Sequence, residues 1–343
     1  MELSLVPQGA DNILVEVDGA GTYYEWTPAK SPLLKAANLG AGKLVLHPRG
    51  FALPHYSNCP KIGYVIQGTC TVGMIQPNSP HEQVLIIRKG DAIPVPLGAI
   101  SWWFNGGDTP VTVIFLGNTT LSYDPGHIEY FILSGPISLL AGFSSEFITK
   151  TYNITEDEAQ KLTKSQTAPL IVKLDDQIAM PHQANIEKKG GLLYASLVDC
   201  KDISAENLPL LEEVGLSARL VRLEPVSLLR PSYSTDGSYR IFYAVSGSGK
   251  IQIVGLNGGL VLDGKVEEGE LFAVPSFFAV SLIAGGEGIE LFSINTSSRP
   301  NFGDLGGKLS PWKAMSSSVV QASLDVDLEF VNFFKSKLSI GRK

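Results

Sequence analysis

The chain contains itself twice, and that repetition limits its architecture more than any other feature. Around Gly68 it reads YVIQGTCTVGMI, and around Gly247 it reads YAVSGSGKIQIV. The two glycines lie 179 residues apart, and Tyr64 and Tyr243, Gly90 and Gly269, and Pro96 and Pro275 repeat at the same offset. The stretch RKGDAIPVPLGA pairs with EEGELFAVPSFFA in that register. Matches held at one fixed offset predict two homologous halves, 1–170 and 171–343, each of ordinary domain size.

Each half is a succession of short apolar runs. KLVLHP, IGYVIQG, TVGMI, EQVLIIRKG, AIPVPLG and PVTVIFLGN make up the first, and RIFYAVSG, GKIQIVGL, LFAVPS and IELFSIN belong to the second. They are rich in Val, Ile, Phe and Tyr and are bounded by Gly, Pro or Asn, which predicts an all-β fold of two jelly-roll barrels in tandem. The 35 glycines and 21 prolines, spread along the whole chain, supply the turns. Helix signals trail each half. Thr155 and Glu158 have capping-box spacing ahead of a polar helical stretch. After Pro311 come WKAMSSSVVQASL and DVDLEFVNFFKSKL, with apolar residues at helical spacing. These appended helices are natural places for subunit contacts.

Composition removes several function classes. Apolar residues are 44% and charged residues 18%, so the chain can bury large cores. A net charge of −7 without a Lys/Arg run argues against nucleic-acid binding. No apolar run approaches the roughly 20 residues of a membrane-spanning helix. Cys59, Cys70 and Cys200 form no CxxC pair and do not read as a disulfide framework. The opening MELSLVPQGADNILVEVDG has neither a basic nor an apolar leader region, so a cytoplasmic location is expected.

The motifs also resemble a known family. Two β-barrels, each with a Gly-x5-Pro segment and trailing helices, look like a bicupin. LPHYSNCPKIGYVIQG resembles the opening motif of the N-terminal barrel of plant 11S globulins (legumins, glutelins). VPSFFAVSLIAGGEGIELFSINTSSRP and GGKLSPWKAMSSSVVQASLDVD resemble the end of the C-terminal barrel and the closing segment of that family. The resemblance spans essentially the whole chain and implies two cupin domains and a homotrimer. It also meets departures. No leader is expected ahead of the first half, and the chain has no long Gln/Glu-rich insertion and no enrichment in Gln, Asn or Arg. Asn105-Gly106 and Asn257-Gly258 lie inside the barrels rather than between them, where storage members are processed. These departures lead us to expect a non-storage, cytosolic branch.

Catalytic cupins hold a divalent metal with three imidazoles and a carboxylate converging inside the barrel. Laid on this sequence, those four positions fall at Pro54, Tyr56, Lys61 and Ser101 in the first half and at Tyr233, Thr235, Arg240 and Val280 in the second. An ammonium where a carboxylate belongs repels a cation, and Val280 has no ligand atom. No metal and no other cofactor is therefore expected, and oxygenase and oxalate-oxidase readings lose their basis. His55 is one residue out of phase with the ligand positions, so strand alternation points it to the opposite face unless a bulge intervenes.

What replaces the metal set suggests other chemistry. Tyr56, Lys61 and Ser101, with His55 if it points inward, can form a proton-transfer site, because burial lowers a lysine's pKa and an adjacent ammonium acidifies a phenol. Trp102, Trp103 and Tyr64 are candidate substrate-binding residues, one of the two indoles being obliged to face the interior. The structural alternatives are that Lys61 snorkels to the barrel mouth, Tyr56 fills volume, His55 sits on a rim and both indoles pack cores. Cys59 has no evident base beside it. Arg240 and Tyr233 can clamp an anion or serve a structural ion pair. His81, His127 and His182 carry no spacing pattern. The expectation is a cofactor-free cyclase, isomerase or lyase with a small-molecule site in the N-terminal barrel; the alternative is a seed-storage-like reservoir or structural protein without catalysis.

Overall fold

The computed structural model describes residues 5–181 and 193–338. By contacts the chain divides into one unit built on residues 8–220 and a second built on 221–343. The first unit begins with strands β1 (Asn12–Val17) and β2 (Gly21–Glu25), helix α1 (Pro32–Ala36), and strands β3 (Leu39–Leu46), β4 (Gly50–Ser57), β5 (Lys61–Gln67), β6 (Thr69–Ile75), β7 (Glu82–Arg88), β8 (Asp91–Val95), β9 (Ile100–Phe104), β10 (Val111–Asn118) and β11 (Tyr130–Ile132). Helices α2 (Leu139–Gly142), α3 (Ser145–Tyr152) and α4 (Glu156–Lys164) follow, and then β12 (Ile171–Lys173), β13 (Ala195–Ser196), α5 (Leu197–Cys200), β14 (Asp202–Ile203) and α6 (Leu210–Val214). Strands β1-β2-β3-β10-β5-β8-β13 form one sheet and β11-β4-β9-β6-β7 the other, with β12 added beside β4. Their inner faces share one core, including Leu44, Val65, Val72, Met74, Leu85, Ile93, Trp103, Val113 and Phe115. This is the expected jelly roll, with alternate residues of each strand turned inward.

The second unit takes in the end of β15 (Ser217–Leu223) and is built on β16 (Leu228–Ser234), β17 (Arg240–Val254), β18 (Leu260–Glu267), β19 (Leu271–Val274), β20 (Ala279–Asn295) and β21 (Phe302–Asp304), then α7 (Pro311–Ala314), α8 (Ser317–Leu324) and α9 (Leu328–Leu338). Its order is β15-β20-β16-β21, with β17 bonded to β18, β19 and β20. The long β17 covers, in one strand, the ground that β5 and β6 share in the first unit.

The sequence repeat has a geometric basis at its glycines. Gly68 and its partner Gly247 both take left-handed φ values, +80° and +77°. A Cβ would stand 2.7 Å from the Pro110 carbonyl oxygen at the first and 2.2 Å from that of Gly288 at the second. Only glycine satisfies the turn and the close approach together. The helix signals are also realised. Thr155 accepts from the Glu158 backbone N–H while Glu158 closes the reciprocal half of the capping box, starting α4. Homology and contact divide the middle of the chain differently: residues 171–220 follow the first barrel's helices in sequence, yet β12 pairs with β4 and β13 with β8.

Candidate functional site

The interior of the first barrel is decided by one irregularity in β4. The register between β4 and β9 slips between Ala52 and His55. This bulge leaves Ala52, Leu53, His55 and Ser57 all buried. The expectation from plain alternation, His55 outward and Tyr56 inward, is thereby reversed. His55 is 5% exposed and sits opposite Ser101 across the β4–β9 ladder. Its Nδ1–H donates to the Leu53 carbonyl at 2.7 Å, which fixes the tautomer because a carbonyl can only accept. Tyr56 instead stacks on half-exposed Phe131 on the other side, with ring centroids 4.9 Å apart. It is removed from the interior group it was expected to join.

Lys61, the first residue of β5, does point inward and is 1% exposed. It does not snorkel. Its Nζ donates to the Ser57 hydroxyl at 2.5 Å, and that hydroxyl donates on to the Cys59 carbonyl at 2.9 Å. This is the ammonium's one hydrogen bond among the described residues. Its remaining partners are aromatic faces: Tyr130, whose ring centre is 5.1 Å away, and Phe115 at 5.9 Å. Burial lowers the Lys61 pKa to about 8, an effect the neighbouring Cys59 opposes. Burial, then the Lys61 charge, lowers that of His55 to about 4, against the Leu53 hydrogen bond. The Cys59 thiol is pushed up to about 11 by burial, so it is inert. Tyr130 stands edge-on to His55 at 5.1 Å and shares a hydrogen bond with the phenol of Tyr23. Both phenols are raised above the ordinary tyrosine range, chiefly by burial.

Ser101 and the two indoles complete the picture. Trp103 is the inward one. It donates to Ser101 at 3.2 Å and meets Phe115 edge-on. Trp102 lies on the opposite face with Val84 and Phe104, donating to Glu82 at 2.6 Å. Tyr64, buried at 1%, alternates with Lys61 and Val65 and so also faces away from the interior. The structure thus brings together His55, Lys61, Ser101 and Trp103. It leaves out Tyr56, Tyr64 and Trp102, and it adds Ser57, Tyr23 and Tyr130, which no motif marks. His81 and His127 are not part of the group, and His182 lies outside the described residues.

The space between these side chains is small. Tyr23, Leu44, Ala52, His55, Trp103, Phe115, Tyr130 and Leu170 enclose about 10 Å³, room for about one water. A far larger groove, about 700 Å³, adjoins this space and is lined by both apolar residues and carboxylates, Glu16, Glu25, Asp124 and Glu129 among them. Tyr130 and Leu170 line both spaces. In the second unit Arg240 occupies the position of Lys61. It is 5% exposed, donates to Ser232 Oγ at 3.1 Å and to the Ser232 carbonyl at 2.8 Å, and lies over Phe302. Val280 is buried apolar packing. Among the described residues no three His, Cys, Asp or Glu side chains converge as a metal set.

Known proteins share this arrangement of two barrels. Residues 12–160 and 185–332 match the cupin family model. The chain belongs to the cupin family. With two matched segments it is a bicupin, and it is similar to 11S globulins. Cocosin 1 of Cocos nucifera is 25% identical, over 84% of this chain and 77% of its own length. The 11S globulin seed storage protein Ana o 2.0101 of Anacardium occidentale is 23% identical, over 90% of this chain and 85% of its own length. The crystal structure of pumpkin seed globulin superposes with a TM-score of 0.90 at 22% identity, covering 98% of this chain and 97% of that one.

These relatives overturn the main functional expectation. By name they include a seed storage protein and a seed globulin, so the reservoir reading takes precedence over the cofactor-free cyclase, isomerase or lyase. The physical reason lies in the barrel. An amine next to an imidazole resembles acid–base machinery in sequence, but here the aromatic side chains around His55 leave only about 10 Å³ among them. The expected separation into a non-storage branch has no support either. A modest amide content lowers the nitrogen carried per chain without altering the fold.

Proposed function

We propose that this cupin is an 11S-type reservoir globulin, a protein whose use lies in being stored as a folded homotrimer and later consumed. The observation that carries the reading is likeness to seed storage globulins along nearly the full length, joined to a space of only about 10 Å³ around His55 in the first barrel. The trimer is supported by the helices after each barrel. Phe143, Phe147 and Tyr152 of the first arm and Leu328, Phe330 and Phe333 of the second are between 47% and 64% exposed. Apolar surface on that scale calls for a cover. No helix among the described residues is long and apolar enough to cross a membrane. Cys59 and Cys70 are buried free thiols, which suits storage in a compartment that keeps thiols reduced, such as the cytoplasm.

The reading is tested by following the protein through seed filling and germination with a quantitative immunoblot. A reservoir accumulates to a large share of seed protein and is depleted as the seedling grows. A low, constant level through both stages would overturn it. Fractionating the same tissue separates cytosol from storage vacuole.

A further inference from the structure

The two barrels hold the same device with one difference. Each buries a cation at the start of the same strand, Lys61 in β5 and Arg240 in β17, hydrogen-bonded to a serine of the preceding strand. Each cation lies over an aromatic ring from the strand that follows the barrel, Tyr130 in β11 and Phe302 in β21. Only the first barrel sets a histidine beside its cation. All five histidines lie between residues 47 and 182, and the second unit has none.

Consider the first barrel in acid. Neutral His55 fits its site, with Nδ1–H on the Leu53 carbonyl and the ring edge against Tyr130. Protonation would create a second buried cation beside Lys61. The titratable groups facing it from the packed elements are Lys61 of β5, Tyr130 of β11, Tyr23 of β2 and Cys59 of the loop before β5; Ser101 of β9 and Trp103 add only neutral polar atoms. None of these is a carboxylate. Glu25 and Glu129 lie in the larger groove, where Asn12 and Asn58 hold them at 2.6 and 2.7 Å. Solvent is nonetheless near, because Tyr130 and Leu170 are shared between that groove and the inner cavity.

We propose that the N-terminal barrel is an acid-released lock: protonation of His55 against the buried Lys61 ammonium opens this barrel, while the C-terminal barrel, built on Arg240 without a histidine, stays shut. The direction follows from linkage. His55 binds its proton less readily folded than unfolded, so its contribution is complete above about pH 6.5 and is lost as pH falls towards 4. For a reservoir, this supplies a trigger that exposes half of the chain to proteases; that use rests on the reading above, whereas the lock itself does not.

Hydrogen exchange of the purified full-length protein, read by mass spectrometry at pH 7 and pH 4.5 and corrected for intrinsic rates, tests it. Amides of β4, β5 and β11 should lose protection on the order of 50- to 100-fold more than those of β17 and β20. His55→Gln should abolish that difference. Lys61→Met removes the neighbouring cation without touching the histidine, and should move the acid midpoint of β4 to lower pH. If His55→Gln does not fold, the Lys61→Met midpoint and the ring-nitrogen NMR titration of His55 in the unaltered protein decide. Equal acid loosening of both barrels, an unmoved midpoint in Lys61→Met, or an acid response in His55→Gln like that of the parent would overturn the proposal. Seed abundance, read separately, would leave the lock standing even if the reservoir reading failed.

Discussion

Lys61 illustrates how one residue can look catalytic in a sequence and be structural in a barrel. An ammonium in a filled interior, with a hydroxyl and two ring faces for company, is a burden on the fold. The lowering of its pKa from 10.5 to about 8 corresponds to roughly 3 kcal/mol against the charged form. Part of that returns through the Ser57 hydrogen bond and the rings. Lys61→Met is therefore expected to stabilise the first barrel by about 1–2 kcal/mol at pH 7. The gain should follow pH in a defined way. Below about pH 8 the lysine is charged both folded and unfolded, and the whole penalty applies. Between pH 8 and 10.5 the folded lysine gives up its proton first and the penalty fades, so the advantage of methionine disappears. Urea unfolding of both proteins at pH 7 and at pH 10.5 measures this. A less stable methionine variant at pH 7 would mean that the ring contacts outweigh desolvation.

At the scale of strands, the site depends on close approaches that only small residues permit. Gly42 in β3 lies under Tyr23, and a Cβ there would stand 1.8 Å from the phenol oxygen. Gly42→Ala should therefore push Tyr23 off Tyr130, at a cost of about 1–3 kcal/mol, measured as a lower urea midpoint. The cost should shrink in a Tyr23→Phe background, where the struck oxygen is gone. Full additivity would show that the strain falls on the backbone instead. These same strands show what the sequence made legible. The glycine turns, the 179-residue repeat and the helix caps are local signals, and local geometry obeys them. Trp102 and Trp103 separate to opposite faces because adjacent strand residues must. The phase of His55 was not legible, since a bulge is one extra residue and leaves no mark in the hydrophobic pattern. Tyr130 was missed for a different reason. Its counterpart Phe302 lies 172 residues on rather than 179, because the connection out of each barrel has its own length. Offset matching loses such a residue even though it performs the same task in both halves.

For the molecule as a whole, the conspicuous fact is that each barrel is followed by a helical arm which buries little of its own apolar surface. In α3 one residue is buried, Ile148, while Phe147 is 64% exposed; in α9 Val331 and Leu338 are buried while Phe333 is 54% exposed. A short helix is held in water mainly by packing of its apolar face, so two arms of this kind argue for assembly through them. Sedimentation equilibrium at micromolar concentration should give a particle of three 36.8 kDa chains. Joint replacement Phe147→Ser and Phe333→Ser should yield single chains with an unchanged β-rich circular dichroism spectrum, since neither side chain is in a barrel core. Each serine leaves its hydroxyl in solvent, where it needs no partner, so the barrels themselves should lose little stability. A parent protein that sediments as single chains would remove the trimer. A trimer that survives both serines would move the contact off the arms and leave their apolar faces to another partner. Loss of assembly in only one of the single variants would show that one arm carries the contact and the other is merely covered by it.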